Sequence, residues 1–356
     1  MQRNKASWGT RQGKRYLRIL GKVWSILFLI VLVMIFSSRG ANFFSIMGLQ
    51  NVLLAATLIM LVAVGETFVV ISGGIDISPA YVVGLCGAIG AIIMRDMYAG
   101  GSNPAVAVIV GMVGGLAFSV VPGLVNGLII TKMKVPPFIV TIGTMGIAEG
   151  AVFLSNGGVP VRELPPLVAN IGNTFVAYYT SGHGFSLFGP PDVAGVKSVG
   201  ILPIPVLMMI VVIAVMWLIL SKTIFGQHVY AIGGNIQAAR LSGIPVDNVL
   251  LKAYMLASLM YGCAGMVYVL RFASLAPNAG EPLLISSIGA VFIGGASMAG
   301  GYGTIGGTVI GALIIAVLQT GLVMLLVSPF FQYIALGCAI ILAVFVDQFK
   351  AKLLQE

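Results

Sequence analysis

The stretch SKTIFGQHVYAIGGNIQAARLSGIPVDNV, residues 221–249, is a polar segment between two strongly apolar runs, and the rest of the chain is organised around it. Asn235 is a residue type that caps helix starts, Gly243 suits the left-handed position after a last turn, and Pro245 prevents continuation. These signals predict a helix over 236–242, about two turns or roughly 12 Å long. Because so short a helix is unstable alone in water, it must pack against its own bundle or against a separate protein.

The composition places the flanking apolar runs in a membrane. Of 356 residues, 59% are hydrophobic and 8% are charged, and the mean hydropathy is +1.07. A soluble domain of this length could not bury so much apolar surface. The net charge of +9 does not indicate nucleic-acid binding, because the basic residues do not cover a soluble face with interleaved aromatic residues. We therefore predict an all-α, polytopic membrane protein.

Apolar runs of about 20 residues predict ten transmembrane spans. They lie at 23–36, 49–72, 77–95, 104–130, 136–154, 200–220, 249–272, 284–298, 303–327 and 329–346. A basic tail, 1–22, precedes this single transmembrane domain, 23–346, and a short tail, 347–356, follows it. Fourteen Lys and Arg residues fall on the side that holds both tails and the 221–249 loop, and five fall on the other side. The positive-inside rule therefore predicts cytoplasmic termini and a cytoplasmic 221–249 loop, in a bacterial inner membrane.

Two apolar runs are interrupted by glycine and proline. One break covers 72–79, after the second span, and the other covers 276–282, after the seventh. Interruptions at corresponding places in two halves are typical of transporters with internal repeats. Since an odd number of spans separates the two breaks, we predict that the two copies have inverted topology.

A 46-residue segment, 155–200, separates the fifth and sixth spans on the predicted outer side and is rich in Gly and Pro. It is too long for a simple turn and is expected to contain a short surface helix. One interpretation is a docking platform for an external partner, and the alternative is a self-packed or disordered loop. The candidate docking residues are Gly157, Gly158, Pro160, Arg162 and Glu163.

The sequence lacks the features of an enzyme. It contains no G-x-x-x-x-G-K-[ST] phosphate-binding loop, so ATP hydrolysis by this chain is not expected. It also shows no nucleophile–base pair, no paired carboxylates, and no Cys/His spacing typical of a metal site. We therefore expect no catalytic residue, no bound metal and no cofactor in the chain itself.

Polar residues inside the predicted spans are candidates for a translocation pathway. Ser and Thr in spans often only bond backbone carbonyls, but a pathway for a neutral, hydroxyl-rich solute would also use such groups. Our candidates are Glu66, Thr67, Asn126, Phe138, Thr141 and Thr144. Glu66 and Glu149 are the carboxylates deepest in predicted spans, where each needs a cavity or a partner. Asp76, which follows two glycines at the first break, is expected to accept hydrogen bonds from exposed backbone N–H groups.

Four segments together resemble the membrane permease subunits of ribose, galactose and xylose importers driven by ATP-binding cassettes. They are GETFVVISGGIDIS (65–78), SNGGVPV (155–161), FGQHVYAIGGNIQAARLSGIPV (225–246) and IGAVFIGGASMAGGYGTIGGTVIGAL (288–313). The resemblance extends over about 48–346. It implies the vitamin-B12-permease (type II importer) architecture. It also implies a dimer of permeases, for which a homodimer is favoured and a heterodimer is the alternative. Two separate ATPase subunits that bind ATP and Mg, and a soluble periplasmic solute-binding protein, complete the implied complex.

In that family the loop between the sixth and seventh spans couples the permease to the ATPase. Carried onto this chain, the resemblance gives the coupling residues as Gly233, Gly234, Asn235, Ala238, Ala239, Arg240, Gly243 and Ile244. A guanidinium at Arg240 could reach an acidic or carbonyl surface of the partner. The alternative for Arg240 is that it only marks the cytoplasmic side.

The resemblance leaves the cargo open. The sugar permeases commonly have Glu-Leu-Asp where this chain has Leu284-Ile285-Ser286, with Glu281 three residues earlier. A monosaccharide is the expected cargo, and autoinducer, inositol and nucleoside are the alternatives within the same machinery. An ion-coupled secondary transporter using Glu66 and Glu149 is the competing class, and a structural membrane protein with no solute flux is the third possibility.

Overall fold

The computed structural model describes residues 24–355 except 41, 181, 183, 188 and 190–197. The predicted basic tail, 1–22, and part of the outer segment therefore lie outside the described residues. The helices are α1 Trp24–Arg39, α2 Ile46–Ile71, α3 Pro79–Ala99, α4 Pro104–Lys132, α5 Pro137–Ser155, α6 Pro166–Asn173, α7 Ile204–Lys222, α8 Ile224–Gly234, α9 Ile236–Leu241, α10 Val246–Phe272, α11 Glu281–Ile293, α12 Ile305–Met324 and α13 Pro329–Gln355. The strands are β1 Phe175–Thr180, β2 Gly184–Leu187 and β3 Ser198–Pro203.

Ten apolar helices overlap the ten predicted spans. Among the described residues, α2, α3, α4, α5, α7, α10 and α12 are long and apolar enough to cross a membrane. Shorter apolar helices cover Trp24–Arg39, Glu281–Ile293 and Pro329–Leu342. The prediction of an all-α, polytopic membrane protein is confirmed.

The eighth predicted span, 284–298, has the wrong bounds. Its helix, α11, begins at Glu281 and ends at Ile293, and residues 294–304 form a glycine-rich loop. Thirteen residues give a helix of roughly 20 Å, shorter than the hydrocarbon core of a bilayer, which is about 30 Å thick. The uncharged composition continues past Ile293, but Gly294 caps the helix there and Gly295 has a φ of 87°, the left-handed conformation that favours glycine.

Helices α2 and α10 form the centre of the bundle and run antiparallel. Near the start of α2, the backbone oxygen of Leu54 accepts a hydrogen bond from Arg271 at the end of α10, at 2.8 Å. Just past the other end of α2, Gly74 lies against Tyr254. Between these points Gly65 lets the backbones approach, because a Cβ on it would lie 2.9 Å from the backbone oxygen of Ala257.

The same pattern of helix contacts occurs in the two halves of the chain. Helix α2 corresponds to α10, α3 to α11, α4 to α12 and α5 to α13. Helix α10 packs on α4 as α2 packs on α12, and α3 packs on α10 as α11 packs on α2. Helix α3 also contacts α4 and α5, as α11 contacts α12 and α13. Both α3 and α11 begin after a break and carry a proline in the first turn, Pro79 and Pro282. Together with the antiparallel α2 and α10, this packing supports the predicted inverted repeat.

The outer segment is more ordered than its composition indicates. Its expected surface helix is present as α6, and a three-stranded antiparallel sheet with the order β2-β1-β3 follows. Residues Val161 and Leu275 form a β-bridge, which ties the start of this segment to the chain after α10. The sheet was not predicted.

Candidate functional site

The predicted helix in the 221–249 loop is present as α9, with its expected caps. The side chain of Asn235 accepts hydrogen bonds from the backbone N–H groups of Gln237 and Ala238, both at 3.0 Å. Gly243 has a φ of 81°, the left-handed conformation that ends the helix. The helix has six residues, shorter than predicted, and it follows an eleven-residue helix, α8, that the sequence analysis missed.

The two faces of α9 differ. Ala239 is buried, and it packs with residues such as Ile232 and Val246 in a core cluster. It therefore supports α9 from within, whereas the resemblance placed it among the residues that couple the chain to the ATPase. Ala238 and Arg240 are exposed, and so is Leu241, whose side chain is 91% exposed. Leu241 was not among the predicted coupling residues, and a single exposed apolar residue is not by itself a signal of a partner surface.

Arg240 belongs to a charge network. Its guanidinium pairs with Asp247 at 3.2 Å, and Lys134 pairs with the same carboxylate at 2.9 Å. This network joins α9 to the start of α10 and to the connection between α4 and α5. About half of the Arg240 side chain is exposed, so the guanidinium is also open to a partner.

Three glycine-containing segments meet beside α9, and we call them the glycine junction: residues 71–73, 233–234 and 300–301. The backbone N–H of Gly301 donates to the backbone oxygen of Ile71 at 2.8 Å. Gly233 lies against both groups, because a Cβ on it would be 1.7 Å from the oxygen of Ile71 and 2.5 Å from the nitrogen of Gly301. A Cβ on Gly300 would lie 2.9 Å from the Cα of Gly73. The contacts are therefore backbone against backbone, with no room for a side chain.

Tyr230 of α8 forms a hydrogen bond to the loop between α11 and α12, next to the glycine junction. Its hydroxyl donates to the backbone oxygen of Gly303 at 2.6 Å. Burial, with a smaller effect from nearby Tyr302, raises the pKa of the Tyr230 hydroxyl, so it keeps its donor hydrogen. The ring of Phe225, also in α8, stacks on Phe68 of α2 with 6.2 Å between the ring centroids.

A cavity of about 240 Å³ opens beside α9, and we call it the α9 cavity. Lys134, Arg240 and Asp247 line it together with Gly74 and Tyr254, the two residues that meet between α2 and α10. The α9 cavity therefore connects the charge network to the first break.

The structure brings three of the six pathway candidates together at the first break. Asn126 contacts Thr144 through its side-chain oxygen, and its amide nitrogen donates to Ser78 at 3.4 Å. The hydroxyl of Thr141 lies 3.5 Å from the backbone oxygen of Ile75. These groups from α4 and α5 form an uncharged polar cluster against residues 75–78.

The other pathway candidates lie elsewhere. Thr67 is buried against α12, where its hydroxyl bonds to that of Thr308 at 2.8 Å. Phe138 is about half exposed on the surface of α5. Glu149 is also in α5, beside Tyr81, whereas Glu66 lies beside Asp76. The structure therefore does not bring Glu66 and Glu149 together.

Glu66 and Asp76 meet at one tyrosine. The Tyr261 hydroxyl lies 2.9 Å from Oε1 of Glu66 and 3.2 Å from Oδ2 of Asp76. The other oxygen of Asp76 accepts the backbone N–H of Ser78 at 2.8 Å, which confirms the expected role of this carboxylate at the break. Tyr254 and Tyr261 were missed; their spacing of seven residues, which places both on one face of a helix, is a signal that could have found them.

The predicted docking residues gather at the far end of α3. Pro160, Arg162 and Glu163 line an open cavity of about 450 Å³ together with Arg95 and Asn156. Arg95 of α3 donates a hydrogen bond to the side-chain oxygen of Asn156 at 2.8 Å, which joins two sides of this cavity. Gly157 and Gly158 form the turn between, with φ of 64° and 77°. Arg95 is a part of this surface that was not among the predicted docking residues.

Comparisons with known proteins give a consistent result. The family model described as "Branched-chain amino acid transport system / permease component" matches residues 48–344. The ribose import permease protein RbsC of Escherichia coli (strain K12) is 36% identical over 346 residues, 96% of this chain and 98% of that protein. RbsC of Bacillus subtilis (strain 168) is 36% identical over 333 residues, 94% of each chain. The galactose/methyl galactoside import permease protein MglC of Escherichia coli (strain K12) is 32% identical over 338 residues, 93% of this chain and 94% of that protein. No solved structure matches the chain.

Proposed function

The chain belongs to the branched-chain amino acid transport system / permease component family, and from this premise we propose that it is the membrane-spanning subunit of an ATP-driven monosaccharide importer. It receives the sugar from a periplasmic binding protein and releases it into the cytoplasm by alternating access. The relatives that match over nearly the whole chain are named for ribose and galactose import. The uncharged polar cluster of Asn126, Thr141 and Thr144 suits a neutral, hydroxyl-rich solute.

The observation that carries this proposal is the contact that the end of α8, just before α9, makes through the glycine junction with the first break and with the loop between α11 and α12. Gly233 lies against Ile71 at the end of α2 and against Gly301 in the loop between α11 and α12. A displacement of α9 therefore acts directly on both halves of the inverted repeat. Because backbone contacts have no rotatable side chain between them, they transmit such a displacement with little loss.

Separate ATPase subunits supply the energy and hold ATP and Mg. In this proposal α9 lies in a groove of the ATPase, with Asn235, Ala238 and Arg240 on the exposed surface and Gly243 and Ile244 shaping the exit from the helix. Gly234 leaves the surface open, since a Cβ there would meet nothing within 4 Å. Closure of the ATPase on ATP then pushes α9 toward the glycine junction.

A second permease copy completes the pore, and a homodimer is the simplest assembly, with a heterodimer of close homologues as the alternative. Helix α5 presents Gly143, Gly146 and Gly150 on an open face, where a Cβ on each would meet nothing within 4 Å. Small residues on an open helix face allow another membrane helix to approach closely. The polar groups of α4 and α5 at the first break would then lie near the interface of the two copies.

The periplasmic binding protein docks at the 450 Å³ cavity around Arg162 and Glu163. This assignment fits the orientation given by the positive-inside rule, in which both termini and α9 are cytoplasmic in a bacterial inner membrane. The charged residues at the rim suit a transient, reversible contact, since rim charges act mainly on the association rate.

Reconstitution tests the proposed function directly. The chain is placed in proteoliposomes with its ATPase and sugar-loaded binding protein, and uptake of labelled ribose or galactose is measured with and without ATP. We expect uptake that needs ATP, the ATPase and the binding protein, and that survives an uncoupler. Uptake that collapses with the proton gradient while ATP is present would contradict the proposal. A thermal-shift screen of the binding protein identifies the cargo and separates monosaccharide from autoinducer, inositol and nucleoside.

A further inference from the structure

A single hydroxyl bridges two buried carboxyl groups in the centre of the bundle. The side chains of Glu66 and Asp76 are each 1% exposed, and that of Tyr261 is fully buried. Oε1 of Glu66 and Oδ2 of Asp76 both lie within hydrogen-bond distance of the Tyr261 oxygen, at 2.9 Å and 3.2 Å. Neither carboxyl takes part in any ion pair among the described residues.

The surrounding elements offer no compensating charge in the part of the chain that the structure describes. The ionisable groups that face the two carboxyls are Tyr254 and Tyr261, both from α10. Helix α12 contributes Thr308, whose hydroxyl bonds to Thr67. Two adjacent buried carboxylates without a cation are strongly unfavourable, because both lose hydration and they repel each other.

The number of available hydrogens also argues against two ionised carboxylates at this site. A tyrosine hydroxyl carries one hydrogen and can donate it to one acceptor. If both carboxyl groups were ionised, one of them would face the Tyr261 oxygen with no hydrogen between the two atoms. A second hydrogen resolves this: one carboxyl donates to the Tyr261 oxygen, and the Tyr261 hydroxyl donates to the other.

The environments of the two carboxyls decide which of them holds the hydrogen. Oδ1 of Asp76 accepts the backbone N–H of Ser78 at 2.8 Å, and Asp76 lies just before the start of α3, where the helix dipole favours negative charge. Oε2 of Glu66 has no hydrogen-bond partner among the described residues and is buried. The negative charge is therefore better stabilised on Asp76.

We propose that Glu66 is a proton-binding site, and that Glu66, Tyr261 and Asp76 form a directed chain of hydrogen bonds. The Glu66 carboxylic acid donates from Oε1 to the Tyr261 oxygen, the Tyr261 hydroxyl donates to Oδ2 of Asp76, and Asp76 carries the negative charge. With one bound proton, the three side chains together carry one negative charge.

A second observation points to the side of the bundle from which the proton reaches this site. The hydroxyl of Tyr254 is buried and, like Oε2 of Glu66, has no partner among the described residues. Tyr254 also lines the α9 cavity, whose other lining residues include the exposed Arg240 and the half-buried Asp247. In this proposal the site exchanges its proton on the α9 side of the bundle, next to the first break.

Infrared spectroscopy of the purified full-length protein in lipid vesicles tests the proposal. We expect a carbonyl-stretch band of a buried carboxylic acid that is lost in Glu66→Gln and kept in Asp76→Asn. Loss of the band in Asp76→Asn with retention in Glu66→Gln would place the proton on Asp76 and overturn the assignment. Absence of the band in the unaltered protein, with thermal stabilisation by added Na⁺ or K⁺, would show that a metal cation occupies the site in place of a proton.

Thermal unfolding gives an independent readout that requires no transport. Glu66→Gln places an amide donor where the acid donated, so its apparent melting temperature should change least. Asp76→Asn loses one of two acceptor oxygens, and Tyr261→Phe removes the bridge, so both should melt several degrees lower. Tyr254→Phe is the matched control on the same helix: it removes a hydroxyl without a partner and should not lower the melting temperature. An equal loss in Glu66→Gln and Asp76→Asn would contradict the directed chain.

Discussion

The backbone N–H of Gly301 donates a hydrogen bond to the backbone oxygen of Ile71 at 2.8 Å, across 230 positions of sequence. This bond joins the end of α2, next to the first break, to the loop between α11 and α12 in the other half of the repeat. Gly233 lies against both atoms of the bond. The end of α8, which leads into α9, therefore contacts both halves of the repeat where they meet. A movement of Gly233, at the end of α8 just before α9, would therefore press on both partners.

Tyr230→Phe should weaken the attachment of α8 to the glycine junction. It removes the hydroxyl that donates to the backbone oxygen of Gly303 at 2.6 Å, and we expect a loss of about 1 kcal/mol in stability. Sugar uptake per ATP hydrolysed should fall several-fold in the reconstituted complex. Tyr302→Phe, which alters a side chain that is 66% exposed, is the control. Equal effects of the two changes would show that the Tyr230 hydrogen bond has no special part in coupling.

Arg240→Glu should abolish co-purification of the ATPase with this chain. It reverses the charge on the exposed face of α9 and places a carboxylate beside Asp247. The control is Asp247→Asn, which breaks the internal pairs with Arg240 and Lys134 but leaves both cations in place. Because these pairs are largely exposed, they contribute at most about 1 kcal/mol, and Asp247→Asn should retain ATPase binding. If both variants lose the ATPase, Arg240 acts through its internal pair and not through the partner.

Thr144→Val tests the uncharged polar cluster at the first break. It keeps the shape of the side chain but leaves the buried oxygen of Asn126 without the Thr144 hydroxyl, at a cost of about 1–3 kcal/mol. We expect a higher KM for sugar uptake and an ATPase rate that still responds to the loaded binding protein. Thr57→Val is the matched control, since that hydroxyl bonds only to the Leu53 backbone oxygen of its own helix, at 2.8 Å, among the described residues. An unchanged KM in Thr144→Val would remove the cluster from the pathway.

Arg162→Glu should weaken docking of the periplasmic binding protein. Arg162 lines the 450 Å³ cavity near Glu163, and reversing its charge should raise the concentration of loaded binding protein needed for half-maximal uptake by roughly tenfold. The effect should shrink at high ionic strength, because exposed charges are screened. Arg39→Glu, at the end of α1 and outside this cavity, is the control. A shift of the same size in Arg39→Glu would indicate a general charge effect.

Local chemistry explains what the sequence could predict. The cap at Asn235 and the left-handed Gly243 depend on residues within a few positions, and both are present as expected. The ten apolar runs and the two breaks likewise follow from composition and from glycine and proline positions. The exchange of helix partners between the two halves agrees with the prediction made from those breaks.

The features that the sequence could not predict depend on contacts between distant parts of the chain. Glycine has no side chain to indicate a partner, so the contact of Gly233 with Ile71 leaves no pattern in the sequence beyond the glycine itself. The early end of α11 was hidden because residues 294–298, Gly-Gly-Ala-Ser-Met, carry no charge and so do not interrupt the hydropathy signal of a span. The bridging of Glu66 and Asp76 by Tyr261 is set by the approach of α2 to α10, which hydropathy does not report.

The most direct measurement is the number of sugar molecules imported per ATP hydrolysed by the reconstituted complex carrying Gly233→Ala. A Cβ at this position would lie 1.7 Å from the backbone oxygen of Ile71, so the segments of the glycine junction must separate, whereas a Cβ on the control, Gly306→Ala, meets nothing within 4 Å. Both variants are first checked for assembly with the ATPase by size-exclusion chromatography. We expect Gly233→Ala to keep hydrolysing ATP while its import per ATP falls at least about tenfold, a change that corresponds to about 1.4 kcal/mol of lost coupling, and we expect Gly306→Ala to match the unaltered protein. An assembled Gly233→Ala complex with unchanged import per ATP would contradict transmission through the glycine junction.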